Sequence, residues 1–265
     1  MQQPTMDVSP TIIAALKAKG ENKGEADEFK CKKELYEKKM DTEYCVAFFG
    51  EKAKDGIEII NPLNRLPYAD ISEIPRKTKG SSKSDITVML KQTQDLLHIS
   101  VKSLRGQMPS ILNHTPRSAN VFQSGPLKDY LNNLDLLANE YHAKRTEKMI
   151  SEDVKLSKLS SFANELIKKS ILKMLIYFMF DGTGFKEADP KCNAILIINK
   201  DDSKTYISCA TDEEKEAYVN TIIDGCVLSY RNKGMRKKSL ESALPWVCKY
   251  AEKDCGAIHI RLSHK

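Results

Sequence analysis

The sequence has no cysteines in a C-x-x-C pair and no cysteine–histidine group at zinc-ligand spacing, although seven cysteines are scattered over its 265 residues. That argues against a zinc ribbon or finger. The odd number and wide scatter read as reduced thiols, not as a disulfide framework. The longest apolar run, ILKMLIYFMF at 171–180, is about half the ~20 residues that span a bilayer. The first residues, MQQPTMDVSP, lack the apolar core of a secretory signal. A soluble, cytoplasmic protein with no membrane partner is expected. There is no internal repeat and no low-complexity tract. DGTG at 181–184 lacks the glycine spacing and the Lys-Ser/Thr of a phosphate loop. No G-x-S-x-G nucleophile elbow occurs. The single tryptophan, Trp246, follows Pro245 and reads as packing, not base stacking.

What is present is a mild basic excess, with a net charge of +6 and 41% hydrophobic residues. Its distribution says more than its size. Residues 65–125 carry nine Lys/Arg against four Asp/Glu, and residues 226–265 carry nine against three. Two separated basic segments suit a cleft that grips phosphates from two sides.

Apolar spacing predicts helices over 11–20, 24–40, 127–145, 162–180 and 212–225. Short strands are expected at 85–91, 96–102, 193–199 and 204–210, with a last strand in GAIHIRLSHK at the C-terminal end. Residues 44–50 fit either a strand or a helix end. Residues 61–80 and 103–126, rich in turn formers, read as loops. The order of elements indicates an α/β or α+β class with a mixed sheet.

The chemistry is concentrated in SSKSDITVMLKQTQDLLHISVKS, residues 81–103. Asp85 opens one apolar strand and Lys102 ends the next. Residues two apart on a strand share a face, so Ser100 and Lys102 point the same way. A hairpin in register turns that face toward Asp85. Phosphodiester cleavage uses a divalent cation to activate water and to neutralise charge at phosphorus. Mg²⁺ takes oxygen ligands, usually one or two carboxylates, and a nearby lysine orients or deprotonates the water. This is the layout of the PD-(D/E)xK nucleases, with Ser100 where an acid is usual. A second carboxylate must then come from elsewhere, and Glu25 or Glu28 on the early helix are the candidates. The same spacing also fits an ordinary hairpin with Asp85 capping a turn and Lys102 solvated.

The residues that follow carry a likeness. ISVKSLRGQMPSILNHTPRSANVFQ, 99–123, resembles the HpaII type of type II restriction endonuclease, whose stretch runs (I/F)SIKS-x-x-G-x-x-x-(T/S)-L-L-N-x-S-x-x-T-N-F. Ser100, Lys102, Ser103, Gly106, Ser110, Leu112, Asn113 and Asn120 match that pattern, whereas Ile111, Ala119 and Val121 depart from it. The close likeness covers about forty residues. It implies a PD-(D/E)xK-like core with a mixed sheet flanked by helices over 1–150, and a recognition and clamping part over 151–265. It implies a Mg²⁺-dependent, site-specific deoxyribonuclease of a bacterial restriction-modification system, acting on double-stranded DNA at a short GC-rich palindrome such as CCGG. A cognate methyltransferase would be its functional partner, and either a monomer or a homodimer fits. Asp85 and the Val101 carbonyl would hold the metal, Glu28 would assist through water, and Lys102 would handle the water, with Ser100 in the acid's place.

Residues 103–123 follow the catalytic triplet directly, so Ser103, Arg105, Asn113, His114, Arg117, Ser118 and Asn120 are expected at bases or phosphates. SYRNKGMRKKS at 229–239 packs five basic residues around a glycine. Arg231, Asn232, Arg236, Lys237 and Lys238 form a candidate reading or clamping group. The alternatives are a non-catalytic nucleic-acid-binding module and a structure- or RNA-directed nuclease with the same core.

Overall fold

The computed structural model describes residues 23–76, 83–106, 108–113, 121–122, 124–146, 157–183, 186–230, 248–250, 253–255 and 258–263. The predicted helix at 11–20, Trp246 and most of the basic 229–239 stretch lie outside the described residues.

The described residues start with helices α1 (Lys23–Glu37) and α2 (Thr42–Phe49), then strands β1 (Ile57–Ile59), β2 (Ile86–Leu90) and β3 (Leu96–Ser103). Strand β4 (Ser110–Asn113) and helices α3 (Leu131–Thr146) and α4 (Glu165–Ile176) follow, the last running into a wider turn, Tyr177–Asp181. Strands β5 (Ala194–Ile198) and β6 (Lys204–Ser208), helix α5 (Asp212–Ile223) and strand β7 (Val227–Tyr230) come next. Short strands β8 (Cys248–Tyr250), β9 (Lys253–Cys255) and β10 (Ile258–Arg261) complete the described elements.

The main sheet has the order β1-β2-β3-β5-β6. Strands β1, β2 and β3 form an antiparallel meander, β5 lies parallel to β3, and β6 is antiparallel to β5. The fold is therefore mixed α/β, a five-stranded mixed sheet with helices against it. The sheet takes β5 and β6 from the part of the chain beyond residue 150, next to the strand that carries Lys102.

Alternation along the strands gives the sheet two unlike faces. Ile86, Val88, Leu90, Ile99, Ala194, Leu196 and Ile198 share one core with Cys31 and Leu35 of α1 and Cys45 of α2. On α1 the buried residues Asp27, Cys31 and Leu35 fall at i, i+4 and i+8, a single stripe. Ile195, from the other face, joins the larger core built on α3 and α4. Each fully buried leucine or isoleucine contributes about 2 kcal/mol relative to exposure.

Local signals end the helices. Asp41 caps α2 by accepting from the Tyr44 N–H at 3.1 Å, and Asn164 caps α4. Thr211 and Glu214 form a reciprocal capping box on α5. Gly56 has φ +87°, and a Cβ there would meet the Lys39 carbonyl at 2.6 Å, so the turn into β1 requires glycine.

The structure corrects the reading of 103–126 as a loop. Strand β4 lies within it and pairs with β10, which also pairs with β7, in a second sheet of order β4-β10-β7. Ile111 and Leu112 are adjacent yet both buried, so the stretch shows no alternation to read. The open choice at 44–50 resolves as helix. Among the described residues no helix is long and apolar enough to cross a membrane. Cys31, Cys45, Cys192, Cys209 and Cys226 are buried free thiols.

Candidate active site

Where β2 begins, its ladder to β3 passes from backbone to side chain. Ile86 pairs with Ile99, and the Asp85 N–H donates to the Ile99 carbonyl at 2.9 Å. The Asp85 carboxylate then takes the next donor. Its Oδ2 accepts from the Val101 N–H at 2.7 Å and from the Ser100 hydroxyl at 3.2 Å. Lys102 Nζ donates to the same hydroxyl at 2.9 Å. Ser100 is only 1% exposed. Its hydroxyl thus links a carboxylate on one strand to an ammonium on its neighbour, and all three side chains occupy one place.

Helix α1 brings further groups to this end of the sheet. Its Glu28 and the site residues Asp85, Val101, Lys102 and Ser103 line a cleft of about 620 Å³, along with Lys23, Glu25 and Arg261. Glu28 Oε1 accepts from Lys32 Nζ at 2.5 Å. Burial and the negative charge of Asp85 push the Glu28 carboxyl above its ordinary range, and Lys32 and Lys102 only partly offset them. The lysine two residues before Asp85 is affected in the opposite sense. Burial and the charge of Lys102 bring the Lys83 ammonium down to about 8, against the opposing pull of Asp85. Like charges are crowded here, carboxylate against carboxylate and ammonium against ammonium.

Among the described residues there is no group of three or more His, Cys, Asp or Glu side chains that could hold a metal ion. Mg²⁺ asks for less: hard oxygen donors from one or two carboxylates, with water and phosphate completing the shell. Asp85 and Glu28, whose charges repel across the cleft, fit that requirement, and Glu25 lines the same cleft.

Ser103 and Arg105 have intramolecular partners. The Ser103 hydroxyl donates to Asp27 Oδ2. Arg105 Nη1 pairs with Asp27 Oδ1 at 3.1 Å and with Asp202 Oδ1 at 2.6 Å. Asp27 is the N-terminal member of the buried stripe on α1, so this network ties the helix that carries Glu28 to the strand that carries Lys102. Asn113 is in β4, where its backbone pairs with His259 of β10. His114, Arg117, Ser118, Asn120, Arg231, Asn232, Arg236, Lys237 and Lys238 lie outside the described residues. His98 is structural: its Nδ1 shares a 3.2 Å hydrogen bond with Thr87 Oγ1.

Sequence reasoning missed Arg261, which lines the cleft. Its Nε donates to Ser229 Oγ and its Nη1 to the Met108 carbonyl, both at 2.7 Å. The alternating IHIRL stretch was the available signal, since it marks a strand with one charged residue among apolar ones. Asp27 and Lys32 were missed too, because a charged residue on the buried side of a helix looks in sequence like any solvated one.

No family model matches the chain, and no curated protein matches it.

Proposed function

We propose that this chain is a Mg²⁺-dependent, site-specific endonuclease that makes double-strand breaks in DNA, built on a PD-(D/E)xK-type core in which serine replaces the first acid of the triplet. One observation carries the reading: the Ser100 hydroxyl links Asp85 to Lys102, and both of these residues line a cleft of about 620 Å³. The mixed sheet flanked by helices is compatible with such a core.

Each residue has a part in this reading. Asp85 and the Val101 carbonyl would hold the cation, with Glu28 as the second carboxylate that would assist. The bound ion supplies the charge that neutralises phosphorus and acidifies water. Lys102, positioned by Ser100, orients the attacking water and stabilises the anionic charge that develops on the phosphate oxygens. Ser100 donates its proton to Asp85 and accepts from Lys102, so it fixes both groups and is not itself a metal ligand. The Asp27 network keeps the helix and strand sides of the cleft in register. The ends released are 5′-phosphate and 3′-hydroxyl. The basic segments supply phosphate contacts, and the target is a short GC-rich palindrome such as CCGG. The protein acts in the bacterial cytoplasm beside a methyltransferase that protects the same sites.

The test is incubation with plasmid and MgCl₂. Discrete bands are expected from the wild type, and a gel shift without cleavage from Lys102→Ala. Unchanged plasmid that still shifts in a gel would mean a binding module, and a ladder or a preference for RNA would mean a nuclease of other specificity.

A further inference from the structure

Between β1 and β2 the chain makes a loop, 61–67, that projects two leucines into solvent. Leu63 is 72% exposed and Leu66 is 60% exposed. The loop is not loose. A bridge between Ile60 and Pro67 closes its neck. The Asn61 N–H donates to the Leu66 carbonyl and the Arg65 N–H to the Asn61 carbonyl, both at 2.8 Å. Asn61 Oδ1 accepts from the Leu63 N–H at 2.9 Å, and Asn64 Oδ1 from the Leu66 N–H at 3.0 Å. Arg65 sits at φ +61°, a conformation that costs a non-glycine residue energy and persists only where the surroundings enforce it. Below the tip, Tyr68 is buried and its N–H donates to the Ile59 carbonyl at 3.0 Å.

A slack loop would fold such leucines back against the protein. This one spends its hydrogen bonds holding them out, with an arginine between them. It also stands beside the active site. Pro62 and Asp85 line the same small recess. After burial, the positive charge of Arg65 is the second influence that lowers the pKa of the His98 ring. His98, Ser100 and Lys102 share one face of β3. Four residues of strand separate His98 from Lys102, about 13 Å, which is about four base steps of a duplex strand.

We infer that loop 61–67 is a DNA wedge that inserts Leu63 or Leu66 between base pairs about four steps from the scissile phosphate, with Arg65 on the adjacent backbone. The inference rests on the proposed nuclease reading and names how that site holds its duplex. Apolar wedges partly unstack a base step and kink the helix. An arginine beside the wedge neutralises the phosphate that the kink brings near. A rigid tip loses little freedom on insertion, so the exposed leucine area converts to affinity with little ordering cost.

The experiment uses the full chain and a fragment that the wild type cuts, rebuilt as a short duplex with 2-aminopurine at successive steps around the cut. EDTA keeps cleavage off. The wild type is expected to raise fluorescence at one step. Leu63→Ala/Leu66→Ala is expected to abolish that rise and to weaken binding by ~10-fold, the scale of losing anchor side chains from an interface. Arg65→Ala should weaken binding and lower its salt dependence while keeping the fluorescence rise. An equal rise with the double leucine variant overturns the inference, as does a variant that shifts from dimer to monomer in sedimentation with DNA binding unchanged. The nuclease reading fails separately, when the wild type leaves every plasmid intact in MgCl₂. In that case a mixed-sequence duplex bearing 2-aminopurine still decides whether the loop inserts.

Discussion

Two lysine–carboxylate clusters in this protein are built from the same residue types and behave in opposite ways. Lys215 on α5 reaches Asp181 and Asp212 directly, each at 3.1 Å, and a second cation, Lys191, stands 3.9 Å from Asp181. Burial lowers the pKa of Lys215, but the hydrogen bonds to the two aspartates outweigh it and the net shift is upward. At the cleft, Lys102 donates to a neutral hydroxyl. There Glu28 is driven up by burial and Asp85, and Lys83 is driven down by burial and Lys102. One cluster has satisfied its charges by pairing opposites. The other sets like charges near one another, Asp85 by Glu28 and Lys102 by Lys83, and the Lys32 pair with Glu28 offsets this only in part. That contrast sets a structural ion pair beside the cleft on which the proposed function rests.

The largest expected effect breaks the contrast at its functional end. Lys102→Ala and Asp85→Asn should each lower the cleavage rate by ~10³-fold, within the usual range for removing a catalytic proton-handling or charge-stabilising group. Binding to the same plasmid fragment should stay within a few-fold. Cleavage that persists in Lys102→Ala would remove the lysine from the chemistry.

Next comes the structural end. Lys215→Met leaves Asp181 half-buried beside an apolar side chain, a loss of about 3 kcal/mol, read as a lower urea midpoint. Cleavage per folded molecule should be unchanged. The wild type adds a pH signature. The folded pKa of Lys215 lies above 10.5, so its contribution is fully present below that value and fades as pH climbs beyond it. The variant should lose stability less steeply there. An unchanged urea midpoint would show that the direct pairs do not hold α5 to the turn after α4.

Smaller still is Ser100→Ala. Asp85 keeps its bond from the Val101 N–H, but Lys102 loses its anchor and the two strands lose their link. Cleavage should fall by ~10-fold and stability by about 1 kcal/mol, the net worth of a buried hydrogen bond. Ser100→Asp supplies the acid that the triplet lacks and should recover activity at lower MgCl₂. If alanine cuts as fast as serine, the hydroxyl link is incidental.

These residues also show what a sequence reveals. That Asp85, Ser100 and Lys102 meet was legible because strand geometry is rigid: a period of two fixes which side chains share a face, and a short hairpin fixes the register. Glu25 and Glu28 were legible only as two candidates, and both line the cleft, since placing a helix against a sheet depends on packing that no local pattern encodes. The Asp27–Ser103–Arg105 network was not legible at all, because its members come from residues 27, 103, 105 and 202, brought together by the crossover from β3 to β5. Strand β4 was hidden for a different reason. Its two apolar residues are adjacent, and it belongs to a second sheet, with β10 and β7, that the main hairpin does not announce.

The finest test of the contrast is Glu28→Gln, where two forces on one carboxylate oppose each other. Lys32, buried and 2.5 Å away, favours the charged form; burial and Asp85 favour the neutral one, and they win. A carboxyl whose folded pKa is raised contributes stability that is fully present below its unfolded value, near 4.5, and lost as pH rises through the folded value. The wild type should therefore lose stability over that acidic interval, and the glutamine variant, neutral throughout, should show a flatter profile with an equal or higher midpoint at pH 7. MgCl₂ should raise the wild-type melting temperature and raise that of the variant less, because the cation relieves the same repulsion that the substitution removes. If Glu28→Gln instead unfolds earlier at neutral pH, the Lys32 pair dominates. The cleft would then belong with the Lys215 cluster, as an ion pair whose charges already have their partners.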